Sequence, residues 1–439
     1  MQMIKKIVFL HATVLFIAIL SCSNYNTVIL ISDASAQAFS LKEKLDRSKH
    51  FIKYTNPSNG VVSYILNTHI AKHQISMYFV VPPVTDDGRY IWFWLTEGSG
   101  DFDIALFDVE KDEIRHYSGM KIHASSSFVD TETGEVFWVK PAENQRHIGD
   151  NYLVLKRGPG EKDKIKQVAY IPHLVDNCRV PRQVVTHLSR SADKKSFAFD
   201  SGHYRENNRS YLGTVPLDIK GQYSLWTILD RRYNHAQMHP VHNDVMLAAQ
   251  DYFTDYIGQY GEAGGRIGVN NRMWILYADG EAKPVFADLN NNSVKTSVIY
   301  HEYWGNSGEY LWYIDQVGTY GGNGTCRIPY HYATRSFGAP ELIWPKAGGH
   351  SFSSRSERYL VGDHGYKSWE TTDSCRVSFY NMETKKEVDI ATKMPYSGEQ
   401  NHPHPTFAMN DQVICYTFAI TGRNSLAITF TDQLIEKSK

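Results

Sequence analysis

The residues with the clearest chemical potential in this sequence are its histidines. The chain contains 19 of them, and several recur at a similar distance before a polar turn and an aromatic or β-branched segment. The recurring ones are His187, His235, His301, His350 and His404. Neutral imidazole binds divalent metals and can also transfer protons near neutral pH. The spacing therefore predicts a metal site or an acid–base centre, provided that the fold brings these side chains together.

The turn that follows each of these histidines belongs to a repeated unit. Residues 301–313 show it most clearly, with a histidine, a short strand, a polar turn and an aromatic strand. We find seven copies, in which turn-forming residues precede β-branched or aromatic residues at strand spacing. The copies are residues 86–93, 132–138, 192–199, 242–248, 301–313, 356–361 and 410–416. Their period, roughly 40 to 50 residues, is that of a four-stranded propeller blade.

A second hairpin follows each copy, so each repeat should contain four antiparallel strands. The sequence thus predicts an all-β, seven-bladed β-propeller of four-stranded antiparallel blades. The last repeat is short of one strand, and residues 61–66 could supply it and close the ring. Equivalent positions on the innermost strands of a propeller face its axis, so the recurring histidines should converge there.

Convergence on the axis would bring imidazoles within reach of a single ion. We predict a divalent metal, either zinc, manganese or calcium, held by His235, His301, His350 and His404, with His402 on the same strand face as His404. The alternative is that each histidine bonds a neighbouring backbone group. For one histidine this alternative is favoured, but a whole set in one register favours a metal or active site, because buried polar groups need partners.

The N-terminus is typical of an export signal. Two lysines precede an apolar run, residues 7–20, that is too short to span a bilayer comfortably. Residues 19–22 are typical of a lipobox, in which Cys22 would be lipidated; cleavage after Ala38 is the alternative and would release a soluble periplasmic protein. We expect residues 1–38 to be a targeting segment and residues 39–439 to be one catalytic propeller. The mature protein is then a bacterial periplasmic protein or an outer-membrane or cell-surface lipoprotein.

The charge balance of the sequence restricts the kinds of molecule that the protein can bind. The net charge is -1 and the pI is about 7.0, so no basic surface suggests nucleic acid. We expect a monomer that meets a membrane only through an N-terminal lipid. Cys326 and Cys375 begin equivalent strands of neighbouring repeats, which allows a disulfide; buried free thiols are the alternative.

Four short segments share their residue order with one enzyme family. They are His235-Ala236-Gln237, His301-Glu302-Tyr303-Trp304, Gly349-His350-Ser351-Phe352 and Gly362-Asp363-His364-Gly365. In this order the C-terminal half of the chain resembles the oligogalacturonate lyases. The resemblance implies a seven-bladed propeller that cleaves acidic pectin fragments by β-elimination with a metal at the funnel. Gln250 stands where that family carries its catalytic histidine.

The short ulvan lyases, which resemble the oligogalacturonate lyases in fold, are more similar in chemistry. They use two histidines, a tyrosine and an arginine, and the resemblance implies His123, His147, Tyr256 and Arg272 as catalytic residues. Candidate substrate-binding residues are His187, His203, Tyr204, Tyr252 and Trp304.

β-Elimination at C4 of a uronate explains why these residue types are needed. The C5 proton becomes acidic only when the adjacent carboxylate is neutralised, and the Arg272 guanidinium can pair with a carboxylate through two parallel hydrogen bonds. A histidine or tyrosine then takes the proton while another group protonates the departing oxygen. We predict a carbon–oxygen lyase acting on an acidic polysaccharide or its oligosaccharides, ulvan-like before pectic oligogalacturonate.

Two other functions stay open at this point. If the free hydroxyl of a terminal uronate leaves, the same residues make an oligosaccharide dehydratase. If the protein is instead a non-catalytic binding propeller, aromatic residues of the long segment 251–271 would form a saccharide- or protein-binding surface. Hydrolysis is less favoured, because a glycosidase needs paired carboxylates and the predicted inner strands offer mainly histidine, with Glu302 the exception.

Overall fold

The structure is a computed structural model, and its description covers most of the chain. The described residues are 37–98, 102–122, 127–141, 152–171, 174–175, 178–179, 183–203, 209–230, 233–250, 272–286, 299–316, 318, 321–346, 348–365, 374–395, 402–420 and 422–439. Within them the regular secondary structure is mostly β-strand.

The strands are short and follow one another through turns. In chain order they begin with β1 (Phe51–Thr55), β2 (Val62–Leu66), β3 (His73–Ile75), β4 (Tyr90–Thr96), β5 (Phe102–Asp108), β6 (Glu113–Ile122), β7 (Ser127–Val129), β8 (Val136–Pro141), β9 (Tyr152–Arg157) and β10 (Lys166–Ile171). They continue with β11 (Leu174–Val175), β12 (Cys178–Arg179), β13 (Gln183–Val184), β14 (Ser196–His203), β15 (Arg209–Pro216), β16 (Ser224–Asp230), β17 (Tyr233–Met238), β18 (Val245–Gln250), β19 (Met273–Tyr277) and β20 (Ala282–Pro284). The C-terminal part holds β21 (Ile299–Trp304), β22 (Tyr310–Asp315), β23 (Gly324–His331), β24 (Ser336–Phe337), β25 (Glu341–Trp344), β26 (Ser351–Ser353), β27 (Tyr359–Gly365), β28 (Ser374–Asn381), β29 (Lys386–Pro395), β30 (Thr406–Ala408), β31 (Val413–Ile420) and β32 (Arg423–Phe430).

Most of these strands pair antiparallel with a neighbour in sequence, whereas β3 pairs parallel with β32. Four-stranded sheets have the orders β10-β9-β8-β7, β13-β14-β15-β16, β17-β18-β19-β20 and β26-β27-β28-β29. A five-stranded sheet contains β21 to β25, and β11 pairs with β12. A nine-stranded sheet joins β3 to β6 with β30, β31, β32, β2 and β1. We call β3, β7, β13, β17, β21, β26 and β30 the inner strands.

The anchor segments predicted from the repeats form the strand that directly follows each inner strand, which confirms that part of the prediction. β18 shows why these strands pack well, since all of its residues are buried. A strand of small and aliphatic residues can be covered on both faces by neighbouring sheets. One core cluster joins Val245 and Leu247 of β18 to Ile299 and Tyr313 of the next sheet.

The two ends of the chain meet in one sheet. β2 pairs antiparallel with β32, with Ser63 opposite Thr429. Their hydroxyl oxygens are 2.6 Å apart, and the Tyr416 hydroxyl donates to Ser63 Oγ at 2.9 Å. The expectation that an N-terminal strand completes the last repeat is therefore confirmed.

Helices are few among the described residues. Residues 37–47 form helix α1, and its Leu41 and Leu45 are buried in the core cluster that contains Phe430. The other helices are a 3₁₀ turn, Tyr332–Thr334, and α2, Thr431–Lys437. None of the described helices is long and apolar enough to cross a membrane.

The described cysteines other than Cys178, namely Cys326, Cys375 and Cys415, are buried free thiols. Burial raises the pKa of both Cys326 and Cys375 to about 12. Of the two sequence-based alternatives, the structure shows the free thiols and no disulfide between Cys326 and Cys375.

Candidate functional site

The histidines that recur in the repeats lie together at one end of the inner strands. The ring centroids of His301 and His350 are 3.9 Å apart, and those of His350 and His404 are 4.4 Å apart. His187 and His235 form a second contact at 4.3 Å. The structure thus brings all five rings into one region, in two contacting sets.

The backbone at these histidines departs from a regular strand. His235, His301 and His404 have φ of 54°, 55° and 46°, in the left-handed region that residues other than glycine seldom adopt. The register also shifts between Asn234 and Gln237 and between Tyr300 and Tyr303. Such bulges re-aim side chains, and strained backbone of this kind clusters at functional sites.

Buried aspartates on the strands that follow the inner strands bind the backbone beside these histidines. Asp363 accepts hydrogen bonds from the backbone N–H groups of His350 at 2.5 Å and His404 at 3.1 Å. Asp200 does the same in its sheet, accepting from Thr186 N–H at 2.9 Å and from Ala236 N–H at 3.1 Å. Each carboxylate therefore joins its own inner strand to the next one and fixes the histidines beside it.

One set of histidines can share an ion. Within the part of the chain that the structure describes, the group with metal-binding geometry is His350, His402 and His404, whose ligand atoms lie within 4.8 Å of one another. His350 Nδ1 lies 3.0 Å from Asp363 Oδ2, so Nδ1–H donates to the carboxylate and Nε2 is left to bind metal. The buried Nδ1 of His301 has no hydrogen-bond partner in the described structure.

The electrostatics of this set suit a metal. Burial, followed by repulsion from neighbouring imidazoles, keeps the pKa of His404 and His301 well below the usual range, and burial does the same for His350. Metal binding requires neutral imidazole, so these rings are in the right protonation state. Burial raises the pKa of Asp363 to about 6. The donor set fits a divalent ion.

A different set surrounds Glu302, which is fully buried. Arg272 Nε donates to Glu302 Oε2 at 2.7 Å, and Arg272 Nη2 lies 3.3 Å from Oε1. His235 Nδ1 lies 3.2 Å from the same Oε1. Burial alone would raise the pKa of Glu302, but the Arg272 charge and the His235 hydrogen bond lower it below its ordinary value. Glu302 is thus an anion that fixes both partners.

This arrangement changes what Arg272 can do. We expected its guanidinium to clamp a substrate carboxylate, yet two of its donor nitrogens bind Glu302. A buried carboxylate needs a counter-charge close by, and Arg272 supplies it. His235, predicted as a metal ligand, has Nδ1 engaged by Glu302, which leaves Nε2 as its other ring nitrogen.

Two aromatic residues lie among the histidines. Tyr78 stacks on His187 with ring centroids 4.5 Å apart and meets His404 edge-on at 5.0 Å. Phe79 is only 1% exposed and contacts the rings of His301 at 5.7 Å and His350 at 5.1 Å. Both belong to the segment between β3 and β4, which carries no repeat signal, so sequence reasoning missed them.

Other predicted residues lie elsewhere. Trp304 is at the opposite end of its inner strand from His301, and its Nε1–H donates to Gln237 O at 3.3 Å. It lines a cavity of about 250 Å³ together with Asp86, Phe352 and Arg355. Gln250 is buried, and its Oε1 lies 3.5 Å from the Tyr233 hydroxyl.

The remaining predictions fall outside what the structure describes. His203 ends β14, but its side chain is outside the description. The other sequence-predicted residues outside the described ranges are Cys22, His123, His147, Tyr204, Tyr252 and Tyr256.

Sequence reasoning also assigned no role to Asp200 and Asp363. Asp363 lies opposite His350, the residue just before β26, and Asp200 lies in the matching position before Ser201, which pairs with Val184. The sequence signal that could have identified them is an acidic residue near the end of an apolar strand that follows an inner strand. A carboxylate buried there must have hydrogen-bond partners.

The fold matches several solved structures. A structure of oligogalacturonate lyase in complex with manganese is 16% identical, with 87% of this chain and 96% of that chain covered and a TM-score of 0.62. An oligogalacturonate lyase from Vibrio parahaemolyticus is 14% identical, with the same coverage and a TM-score of 0.64. A β-propeller domain from Myceliophteria thermophila is 9% identical, covers 83% of this chain and 98% of its own, and has a TM-score of 0.50.

No protein-family model and no curated protein matches the chain. At these identities the structural matches show a shared fold. The chain therefore has a β-propeller fold like that of the oligogalacturonate lyases.

Proposed function

We propose that this protein is a carbon–oxygen lyase that performs β-elimination at C4 of a uronic acid in an acidic saccharide. The observation that carries the proposal is the pair of histidine sets at one mouth of the propeller. His350, His402 and His404 can share an ion, while His235 is fixed by a buried carboxylate. β-Elimination next to a carboxylate needs one group that neutralises the carboxylate and another that removes the C5 proton.

We also propose that the propeller has seven blades. The sheets containing β7, β13, β17, β21 and β26 would each be one blade. The nine-stranded sheet would supply two more, one made of β3 to β6 and one of β30, β31, β32 and the N-terminal strands β2 and β1.

His350, His402 and His404 would hold the metal, with Asp363 orienting His350. Three imidazoles favour zinc or manganese over calcium, which prefers oxygen ligands. When bound, a divalent ion would neutralise the uronate carboxylate and so make the adjacent C5 proton more acidic. His301, beside His350, is a further candidate ligand.

His235 is our candidate for the group that removes the C5 proton. Its Nδ1–H donates to Glu302, so Nε2 carries the lone pair, and its side chain is 22% exposed. Arg272 keeps Glu302 ionised and therefore acts through Glu302 on His235. His123, His147 and Tyr256 stay proposed as catalytic residues, and His187, His203, Tyr204 and Tyr252 as substrate contacts, on the residue types alone.

We propose ulvan as the first substrate to test and pectic oligogalacturonate as the second. Gln250 supports testing ulvan first, because it stands where the oligogalacturonate lyases carry their catalytic histidine. Its side chain is a buried amide, which cannot take a proton. We also propose export to the periplasm or cell surface, with Cys22 lipidated, from the N-terminal sequence.

The test is to incubate the metal-loaded protein with ulvan, oligogalacturonate and other uronate polymers and to follow the ultraviolet absorbance of the unsaturated uronate. A rise with shortened chains supports the lyase. A rise with intact chain length and loss of one water per chain by mass spectrometry would replace it with a dehydratase. Binding without any rise would contradict the proposal and favour a binding scaffold.

A further inference from the structure

We propose that the face of the propeller opposite the histidines binds an anionic lipid surface through a lysine-lined cavity and exposed apolar side chains. This inference goes beyond the proposed lyase function and involves no saccharide. One of its supports is the proposed lipidation of Cys22. The sequence predicted membrane contact only through that lipid, whereas the structure adds a protein surface.

The repeat turns define this face. In β21 the chain runs from His301 to Trp304 and then into the turn at residues 305–309, so the turns lie at the end of the strands away from the histidines. The hairpin of β9 and β10 bends at the same end, because Arg157 lies opposite Val136, the first residue of β8 after its repeat turn. We call this end of the strands the turn face.

A cavity of about 250 Å³ lies in the β9–β10 hairpin on the turn face. The cations in its lining are Lys156, Arg157, Lys162, Lys164 and Lys166. The two carboxylates in the lining are engaged, since Glu135 Oε1 binds Lys156 Nζ at 2.8 Å and Asp163 accepts Gly160 N–H at 2.7 Å. The net charge of -1 therefore conceals a local excess of positive charge.

Three of these lysines are available to a ligand. Lys162, Lys164 and Lys166 are exposed, and within the described ranges none of them pairs with a carboxylate. Arg157 is held in place, because its guanidinium carbon lies 4.0 Å from the centre of the Tyr117 ring. Lysine and arginine bind phosphate oxygens through charge-assisted hydrogen bonds. The cavity is therefore suited to a phosphate headgroup.

Helix α1 connects the turn face to the predicted site of lipidation. Lys44 of α1 pairs with Glu110 in the turn between β5 and β6. That turn belongs to the turn face, because Asp108 at the end of β5 lies opposite Tyr90, which follows a repeat turn. Only 15 positions separate Cys22 from the start of α1, and that length of chain spans at most about 50 Å. A lipid on Cys22 would keep the turn face close to the membrane.

Exposed apolar side chains on the turn face favour a lipid surface over a soluble anion. Ile165 is 47% exposed and stands between Lys164 and Lys166. Further exposed side chains lie on α1 or in turns at this end of the strands. They are Phe39, Ile219, Val241 and Tyr332. At a membrane, apolar side chains enter the acyl boundary while lysines remain at the headgroups.

Attachment through this face also fits the position of the candidate active site. With the turn face on the membrane, the histidines open away from it, toward saccharide in the surroundings. A lipid anchor and a basic patch commonly act together, because one acyl chain alone binds membranes weakly.

The test measures vesicle binding by flotation, with the full chain carrying Cys22→Ala so that no lipid is attached there. Phosphatidylcholine vesicles that contain about 30% phosphatidylglycerol are compared with phosphatidylcholine alone. We expect binding to the anionic vesicles and little binding to the neutral ones. Added salt should release the protein, because it screens exposed charges.

The double variant Lys164→Gln/Lys166→Gln should bind the anionic vesicles about 25-fold more weakly. Each lysine near an anionic membrane contributes about fivefold to the binding constant. Thermal unfolding of each variant shows whether it is folded like wild type.

The matched control is Lys72→Gln/Lys393→Gln, which removes the same charge at the opposite end of the strands. Lys72 precedes β3, whose His73 lies opposite Thr96 at the far end of β4. Lys393 lies near the end of β29 that is remote from the turn face. Both lysines are exposed, and vesicle binding should stay within about twofold of wild type.

Ile165→Ser distinguishes a lipid surface from a soluble anion. It should weaken vesicle binding about 10-fold, because an apolar side chain no longer enters the membrane. Binding of a soluble acidic polymer such as polygalacturonate should not respond to this change.

Several results would overturn the inference. These are equal binding to neutral and anionic vesicles, and wild-type binding by Lys164→Gln/Lys166→Gln. Binding of polygalacturonate without binding of vesicles would assign the cavity to an acidic polymer instead, and dimers that Ile165→Ser disperses would assign the face to a second copy of the chain.

The other proposals fail separately. An unmodified Cys22 in mass spectrometry of the exported wild type would contradict lipidation, and the absence of unsaturated uronate would contradict the lyase. Neither result changes what the vesicles report, because the vesicle experiment uses no lipidated protein and no saccharide.

Discussion

Asp363 and Asp200 occupy matching positions in their sheets but support different histidines. Asp363 bonds Nδ1 of His350, whereas Asp200 bonds Thr186 and Ala236, next to His187 and His235. Asp363→Asn should therefore weaken metal binding about 10- to 100-fold, because the support of a metal-binding histidine is lost. Titration of the metal-free protein with zinc or manganese measures the change.

Asp200→Asn is the matched control for this prediction. It removes the same charge at the same depth, yet metal affinity should stay near that of wild type. Equal affinities for Asp363→Asn and wild type would show that His350 does not bind the metal through a fixed Nε2.

Substitutions should also distinguish the roles of the two histidine sets. His235→Asn removes the proposed proton acceptor and should lower kcat about 10²- to 10⁴-fold while metal content stays the same. His350→Ala should lose the metal itself. Elemental analysis and kinetics on the same preparations distinguish the two, and loss of metal from His235→Asn would place that residue in the metal site, as the sequence predicted.

At the scale of an element, the turn after β17 depends on a neutral histidine. His239 Nε2 lies 3.1 Å from Gly308 O in the turn after β21, and Nδ1 accepts N–H groups from Val241 and His242, both at 3.1 Å. Burial, followed by the nearby His242 charge, lowers the pKa of His239 to about 4. Gly308 has φ of 74°, and a Cβ there would come within 2.2 Å of the His239 ring, so the contact is close.

The pH dependence of stability follows from this pKa. Between about pH 6.5 and 4 the unfolded chain binds a proton at His239 and the folded chain does not, so stability falls as pH falls. The loss from this residue should approach about 3 kcal/mol. Urea unfolding across that range, compared between wild type and His239→Gln, isolates the contribution, and parallel curves would contradict it.

At the scale of the whole molecule, the sheet that joins both ends of the chain closes the structure. Ser63 and Thr429 lie directly opposite each other in β2 and β32 and are fully buried. A disulfide made by Ser63→Cys with Thr429→Cys would link these strands across most of the sequence. We expect the oxidised variant to be about 2 to 4 kcal/mol more stable than its own reduced form.

Thermal unfolding of the two redox forms tests this directly, and the reduced form controls for the lost hydroxyl bonds. Identical unfolding temperatures would mean that the N- and C-terminal strands do not separate when the protein unfolds.

The sequence by itself determined the repeating strands, the closing strand and the register of the histidines. These features depend on local patterns: turn residues at each bend, β-branched and aromatic residues at strand spacing, and a histidine at a similar distance before residues such as Val245 and Tyr310. Local patterns survive in a sequence because each segment must fit its own strand and its nearest neighbours.

Only the tertiary structure decided how the site is divided. The pairing of Glu302 with Arg272, thirty positions earlier, the contact of Tyr78 with His187, and the grouping of His350 with His404 each join different parts of the fold. Backbone bulges and left-handed residues turn these side chains, and no repeat encodes them. Contacts of this kind depend on how whole sheets pack against one another, which the order of residues within one repeat does not specify.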